Sequence, residues 1–80
     1  MTPSYSGNSR GHSVGEVDAA SASVVLDDGS RWQVYQAFAD VIGKWQAGEM
    51  VTIKPNWDPE FPYKLVNVHK NQSVEARYRP

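Results

Sequence analysis

The chain of 80 residues contains no cysteine, which excludes disulfides, thiolate zinc sites and cysteine nucleophiles together. No apolar run approaches the ~20 residues that a membrane-crossing helix requires. Neither sign of charge dominates: eight Lys and Arg stand against nine Asp and Glu, a net −1. The overall basic excess of a dedicated nucleic-acid binder is therefore missing. Histidine occurs only twice, and neither His12 nor His69 lies in the paired His–Glu helical motif of zinc hydrolases. Also absent are the Gly-rich phosphate loop ending in Lys-Ser/Thr and the dinucleotide fingerprint, so the sequence offers no phosphate cradle of those kinds.

What is present is an ordinary globular composition, with 40% hydrophobic and 21% charged residues, enough for one small domain. A domain of this size buries only about 60% of its unfolded surface, so a thin core is expected. Residues 1–13 contain Ser, Gly, Asn and Pro with one large apolar side chain, Tyr5, and are expected to form a disordered tail ahead of a domain over 14–80. They also lack the apolar core of a secretion signal, which by itself assigns no compartment. Residues 1–40 carry a net −3 and residues 41–80 a net +2, a mild charge dipole along the chain.

From Val14 onward short strands alternate with turn signals. Residues 13–18, 22–26 and 31–36 read as strands, the last two joined by Asp27-Asp28-Gly29-Ser30, an acidic pair before glycine that signals a hairpin. The side chains choose its register. A two-residue turn would scatter the apolar residues over both faces. A three-residue loop with Gly29 left-handed pairs Leu26 with Ser30, Val24 with Trp32 and Ala22 with Val34, gathering them all on one face. Val25 and Tyr35 then point the other way.

Over 37–45 the period changes: Phe38, Val41, Ile42 and Trp45 recur at spacings of three and four, predicting a helix of two or three turns. Gly43 weakens it and Gly48 suits its exit. Residues 49–54 resume strand chemistry with Val51 and Ile53 inward, and Pro55 stops it. Residues 55–62 form a Pro-rich aromatic loop. Residues 63–68 and 73–78 make a closing hairpin in which Leu65 and Val66 compete for the core. Five or six short strands with one brief helix predict a mainly β domain, a small curled barrel of the SH3-like or OB-like sort that removes exposed sheet edges. A flatter half-barrel is the alternative.

The segments Asp28-Gly29-Ser30-Arg31-Trp32, then Trp45 with Gly48-Glu49-Met50-Val51, then the Asn67-bearing closing hairpin, together resemble a set of small, uncharacterised bacterial β-barrel proteins. Their pattern is an Asp-Gly-Ser turn, a Trp strand, a Trp–Gly–Asp–x–Val segment and an Asn in the last hairpin. The likeness spans about residues 24–76, with Glu49 where those sequences usually carry Asp. It implies the fold and supplies no activity.

Catalytic chemistry has little to rest on. Gly11-His12-Ser13-Val14-Gly15 matches the Gly-x-Ser-x-Gly pattern, but that elbow needs a strand before it, a helix after it and a large α/β sheet around it. Asp27 and Asp28 are explained by the turn. Asn56, Asp58 and Glu60 alternate oxygen ligands, yet lack the glycine and closing glutamate of a calcium loop. No catalytic residue, metal ligand or cofactor is assigned, and the chain is expected not to be an enzyme.

The aromatics are the informative residues. Trp32, Phe38 and Trp45 fall on apolar faces and belong to the core. Trp57, Phe61 and Tyr63 lie in or beside the Pro-rich loop. That loop either folds back as a lid, burying Trp57, or presents the aromatics to a partner. With Lys54, Lys64 and Arg77 they form the candidate binding residues, and Tyr35 and Arg79 are potential neighbours. The expectation is a binding module that takes a protein partner, or a second copy of itself, through this loop. The alternative is a single-stranded nucleic acid stacked on Trp57 or Tyr63.

Overall fold

A computed structural model describes residues 5–7 and 10–80 of the chain. Six antiparallel strands close into a barrel: β1 (His12–Asp18), β2 (Ser23–Leu26), β3 (Arg31–Val34), β4 (Met50–Pro55), β5 (Tyr63–Asn67) and β6 (Gln72–Arg79), in the order β1-β2-β3-β6-β5-β4. The chain thus forms two three-stranded meanders. They are joined where β3 meets β6 and where β1 meets β4, so the sheet is closed and not a half-barrel. Among the described residues no helix is long and apolar enough to cross a membrane.

The hairpin of β2 and β3, the first that the sequence signals, adopts the register with one apolar face. Val24 lies opposite Trp32, and Leu26 N–H donates to Ser30 O at 3.0 Å and Val34 N–H to Ala22 O at 2.7 Å. Gly29 takes φ 82°, the left-handed conformation that glycine adopts without steric cost. Strand β1 carries a bulge between Val14 and Glu16. Gly15 occupies it because a Cβ there would lie 3.0 Å from the Val25 carbonyl. This bulge bends β1 towards closure.

Three expectations are corrected. The first strand begins at His12, inside the segment read as a tail. Tyr5 also packs against the core, so the segment is tied to the barrel at least at these two residues. Positions 1–4, 8 and 9 lie outside the described residues. The predicted helix over 37–45 is shorter, a 3-10 turn Gln36–Phe38 followed by α1 (Ala39–Ile42). No side chain caps either start, and after Ile42 the bonds tighten to Lys44 N–H→Val41 O and Trp45 N–H→Ile42 O. An uncapped segment of this length is held by packing, through buried Ala39, Ile42 and Trp45, while Phe38 is only half-buried.

In the closing hairpin Leu65 faces inward and Val66 outward. Leu65 pairs with Ile53 and Val74, and the same parity places Asn67 wholly inside, where polar partners await it. The core runs from Val14 through Trp32 and Trp45 to Ala76.

Candidate binding face

Two networks of polar side chains fix the ends of the barrel, and both are built from the motifs that the sequence displays. At one end the Trp32 indole N–H donates to Ser30 Oγ at 2.9 Å, and Ser30 Oγ–H donates to Asp28 Oδ1 at 2.6 Å. The Tyr5 hydroxyl donates to the other Asp28 oxygen. His12 lies alongside, with Nδ1 3.0 Å from Asp27 Oδ1. Burial opposes ionisation of Asp28, but hydrogen bonds from Ser30 and Tyr5 outweigh it and hold the carboxyl at about 2. Burial, then the hydrogen bond to Asp28 and its charge, pushes the Tyr5 phenol up to about 12. The His12 hydrogen bond lowers Asp27.

At the other end the Trp45 indole N–H donates to Gln72 Oε1 at 2.9 Å. Glu49 Oε1 accepts from Gln46 N–H at 2.8 Å and from Asn67 Nδ2 at 3.0 Å, while Lys70 Nζ lies 3.2 Å from Oε2. The Gln46 amide, chief among these donors, lowers the Glu49 carboxyl. The Asp-Gly-Ser-x-Trp and Trp–Gly–Glu–x–Val…Asn patterns are thus fold chemistry.

His12, Asp27 and Asp28 bring ligand-type atoms within 4.8 Å of one another, a juxtaposition that sequence reasoning missed because His12 was placed in the tail. His12 and the two carboxylates are hydrogen-bonded among themselves and to Tyr5 and Ser30, and what they do visibly is clasp the N-terminal segment to the first turn. Ser13 lies within β1, opposite Met50, and no helix directly follows it, so its Gly-x-Ser-x-Gly surroundings form no elbow.

The loop that joins β4 to β5 is open. Trp57 is 98% exposed, which corrects the lid reading. The backbone beneath it is braced: Asn56 N–H donates to Pro62 O at 2.9 Å and Asn56 Nδ2 to Phe61 O at 2.8 Å. Asp58 accepts from Glu60 N–H through its side chain and from Phe61 N–H through its carbonyl. Two prolines stiffen the same stretch.

The six predicted binding residues divide. Phe61 and Arg77 meet, with the guanidinium 5.3 Å from the ring centre, and Tyr35 packs on Phe61 at 5.2 Å. Lys54 and Lys64 are cross-strand neighbours on the outer face, and Glu75 lies beyond Lys64. Trp57 stands alone at the loop tip. Tyr63 turns away: its ring meets Trp32 edge-on at 5.3 Å and its hydroxyl accepts Tyr5 N–H at 2.8 Å.

Strand pairing adds a residue that the sequence did not single out. Arg31 lies opposite Arg79, and Gln33 opposite Arg77, so the outer wall of β3, β6, β5 and β4 carries Arg31, Arg79, Arg77, Lys64 and Lys54 against Glu75. The acids of the first half, Glu16, Asp18, Asp27, Asp28 and Asp40, lie on β1, the first turn and α1. Comparisons with protein-family models, with curated proteins and with solved structures found no match to this chain.

Proposed function

We propose that this chain is a non-catalytic binding module of the small β-barrel type that takes another protein through the 55–62 loop. The observation that carries this reading is Trp57, an indole 98% exposed on a loop braced by its own hydrogen bonds. Because the backbone beneath the indole is already ordered, binding has only the side-chain torsions of Trp57 left to fix, and tryptophan is enriched among the residues that dominate interface energetics. Tyr35, Phe61 and Arg77 supply a mixed aromatic and cationic flank. Shallow relief beside the indole, a cavity of about 160 Å³ framed by Pro55, Asn56 and Trp57, is smaller than the ~300 Å³ at which pockets for drug-sized ligands begin.

The test is photo-crosslinking from the loop in wild type, Trp57→Ala and Val68→Ala, with sedimentation equilibrium over a range of concentrations to detect self-association. A crosslinked product or dimer lost only in Trp57→Ala supports the reading; products equal in all three variants reject it. Binding of a single-stranded nucleic acid is the second reading, favoured by the cationic outer wall. Its mark is a salt-sensitive shift of the Trp57 indole N–H resonance on addition of an oligonucleotide.

A further inference from the structure

We propose that the cleft between β2, β3 and β6 is a binding site for a phosphate dianion, held by the guanidinium groups of Arg31 and Arg79. This proposal stands on observations separate from the Trp57 loop. Arg31 and Arg79 are directly opposite each other on the outer face of an antiparallel pair. Like charges in that relation destabilise a sheet unless an anion lies between them. Among the described residues neither forms an ion pair, and the hydrogen bond that Arg79 makes is to a neutral group, the Gln33 side-chain oxygen at 3.1 Å.

The surrounding charges deepen the imbalance. Arg77, the next outward residue on β6, adds a third cation beside the pair. Along the row that crosses the sheet, the nearest side-chain carboxylate is Glu16, on the far side of Val25. The two arginines line one cavity of about 250 Å³, together with Ser23, Val25 and Pro80 and the edges of Val24 and Trp32. That volume is below the range of drug-sized pockets and accommodates a compact ionic group.

The chemistry selects the ion. Two guanidiniums present planar forks of N–H donors suited to paired oxygens. A carboxylate carries one negative charge and leaves one cation uncompensated. A terminal phosphate carries about −1.5 to −2 and three acceptor oxygens, matching both forks. Two sources offer this group, free inorganic phosphate and the terminal phosphate of a nucleotide or oligonucleotide.

The experiment follows the backbone amides of residues 23–25 and the side-chain Nε–H signals of Arg31 and Arg79 by NMR, at constant ionic strength in chloride. Three probes are titrated: inorganic phosphate, a 5′-phosphorylated oligothymidylate and the same oligomer without its terminal phosphate. Saturable shifts with inorganic phosphate support a site for the free ion. Shifts with the phosphorylated oligomer alone support a site for a terminal phosphate within a larger ligand. Arg31→Gln and Arg79→Gln should each weaken the response by about tenfold or more, the loss of one charge-assisted pair. In chloride both variants should melt no lower than wild type, because substitution relieves the opposed charges. Trp57→Ala should leave the phosphate response intact, separating this site from the loop. Equal shifts with the unphosphorylated oligomer, no shift with any probe, or an undiminished response in Arg31→Gln would overturn the proposal.

Discussion

Trp32 and Trp57 are the same side chain in opposite circumstances. Trp32 is wholly buried, ringed by Tyr5, Tyr63 and Tyr78, and its indole N–H is satisfied by Ser30. Trp57 is 98% exposed and none of its ring contacts holds the barrel together. One indole is spent on closing the fold; the other is left to solvent by a loop that is itself well tied down. The difference shows that aromatic content alone does not identify core or surface. What separates the two is strand parity: Trp32 alternates with outward Arg31 and Gln33, whereas Trp57 follows Pro55, where the pleat ends.

The largest effect that sharpens this contrast is expected for Trp32→Ala, which removes the biggest fully buried side chain and should cost about 3–5 kcal/mol. For a domain of this size that approaches the whole stability, so denaturant titration should find the variant largely unfolded. Next comes Asn67→Ala at the opposite end of the barrel. It removes the donor to Glu49 and the acceptor of Lys70 N–H, and stranding such buried groups costs about 1–3 kcal/mol. A fall in the midpoint of that size, absent in Val68→Ala, would verify it.

A smaller effect is expected from acid. The Asp28 carboxyl is held at about 2 in the folded barrel, below the ~3.9 of an unfolded chain. A depressed folded value means that the unfolded state takes up the proton first. Stability is therefore full above about pH 5 and declines as the pH falls through 4 towards 2. Because the Asp28 side chain is 34% exposed, solvent screening reduces this contribution to about 1 kcal/mol. Asp28→Asn should flatten that part of the pH profile of the melting temperature. An unchanged slope would show that the Tyr5–Asp28–Ser30 chain contributes nothing to folding. The smallest effect belongs to Trp57→Ala, expected within about 0.5 kcal/mol of wild type. A large loss there would erase the contrast and make the loop part of the core.

Much of the barrel is legible locally. The Asp28-Gly29 turn and the alternation on either side of it dictate the first hairpin, since a slip of one residue would turn Trp32 and Val34 outward. The spacing of Phe38, Val41, Ile42 and Trp45 marks a helical turn correctly but overstates its length. Periodicity records which side chains face the core and not how many residues keep helical hydrogen bonds. Leu65 and Val66 are indistinguishable by hydrophobicity. The choice between them follows from Asn67, whose interior position is intelligible only once Glu49 is beside it. In the candidate site, Phe61 and Arg77 come together, while Tyr63 is claimed by Trp32.

By itself, then, the sequence determined the elements whose cause is short-range: turn chemistry at Gly29, strand parity around Trp32, the aromatic loop between Pro55 and Pro62. Tertiary structure alone decided which distant residues became neighbours. His12 meets Asp27 because β1 folds back on the first turn. Arg31 faces Arg79 because β6 closes the barrel against β3. Alternation fixes a side chain's face with period two, but it carries no information on which strand will lie alongside. That pairing is settled by closure of the whole sheet, where burying both edges outweighs the local cost of setting two arginines opposite each other.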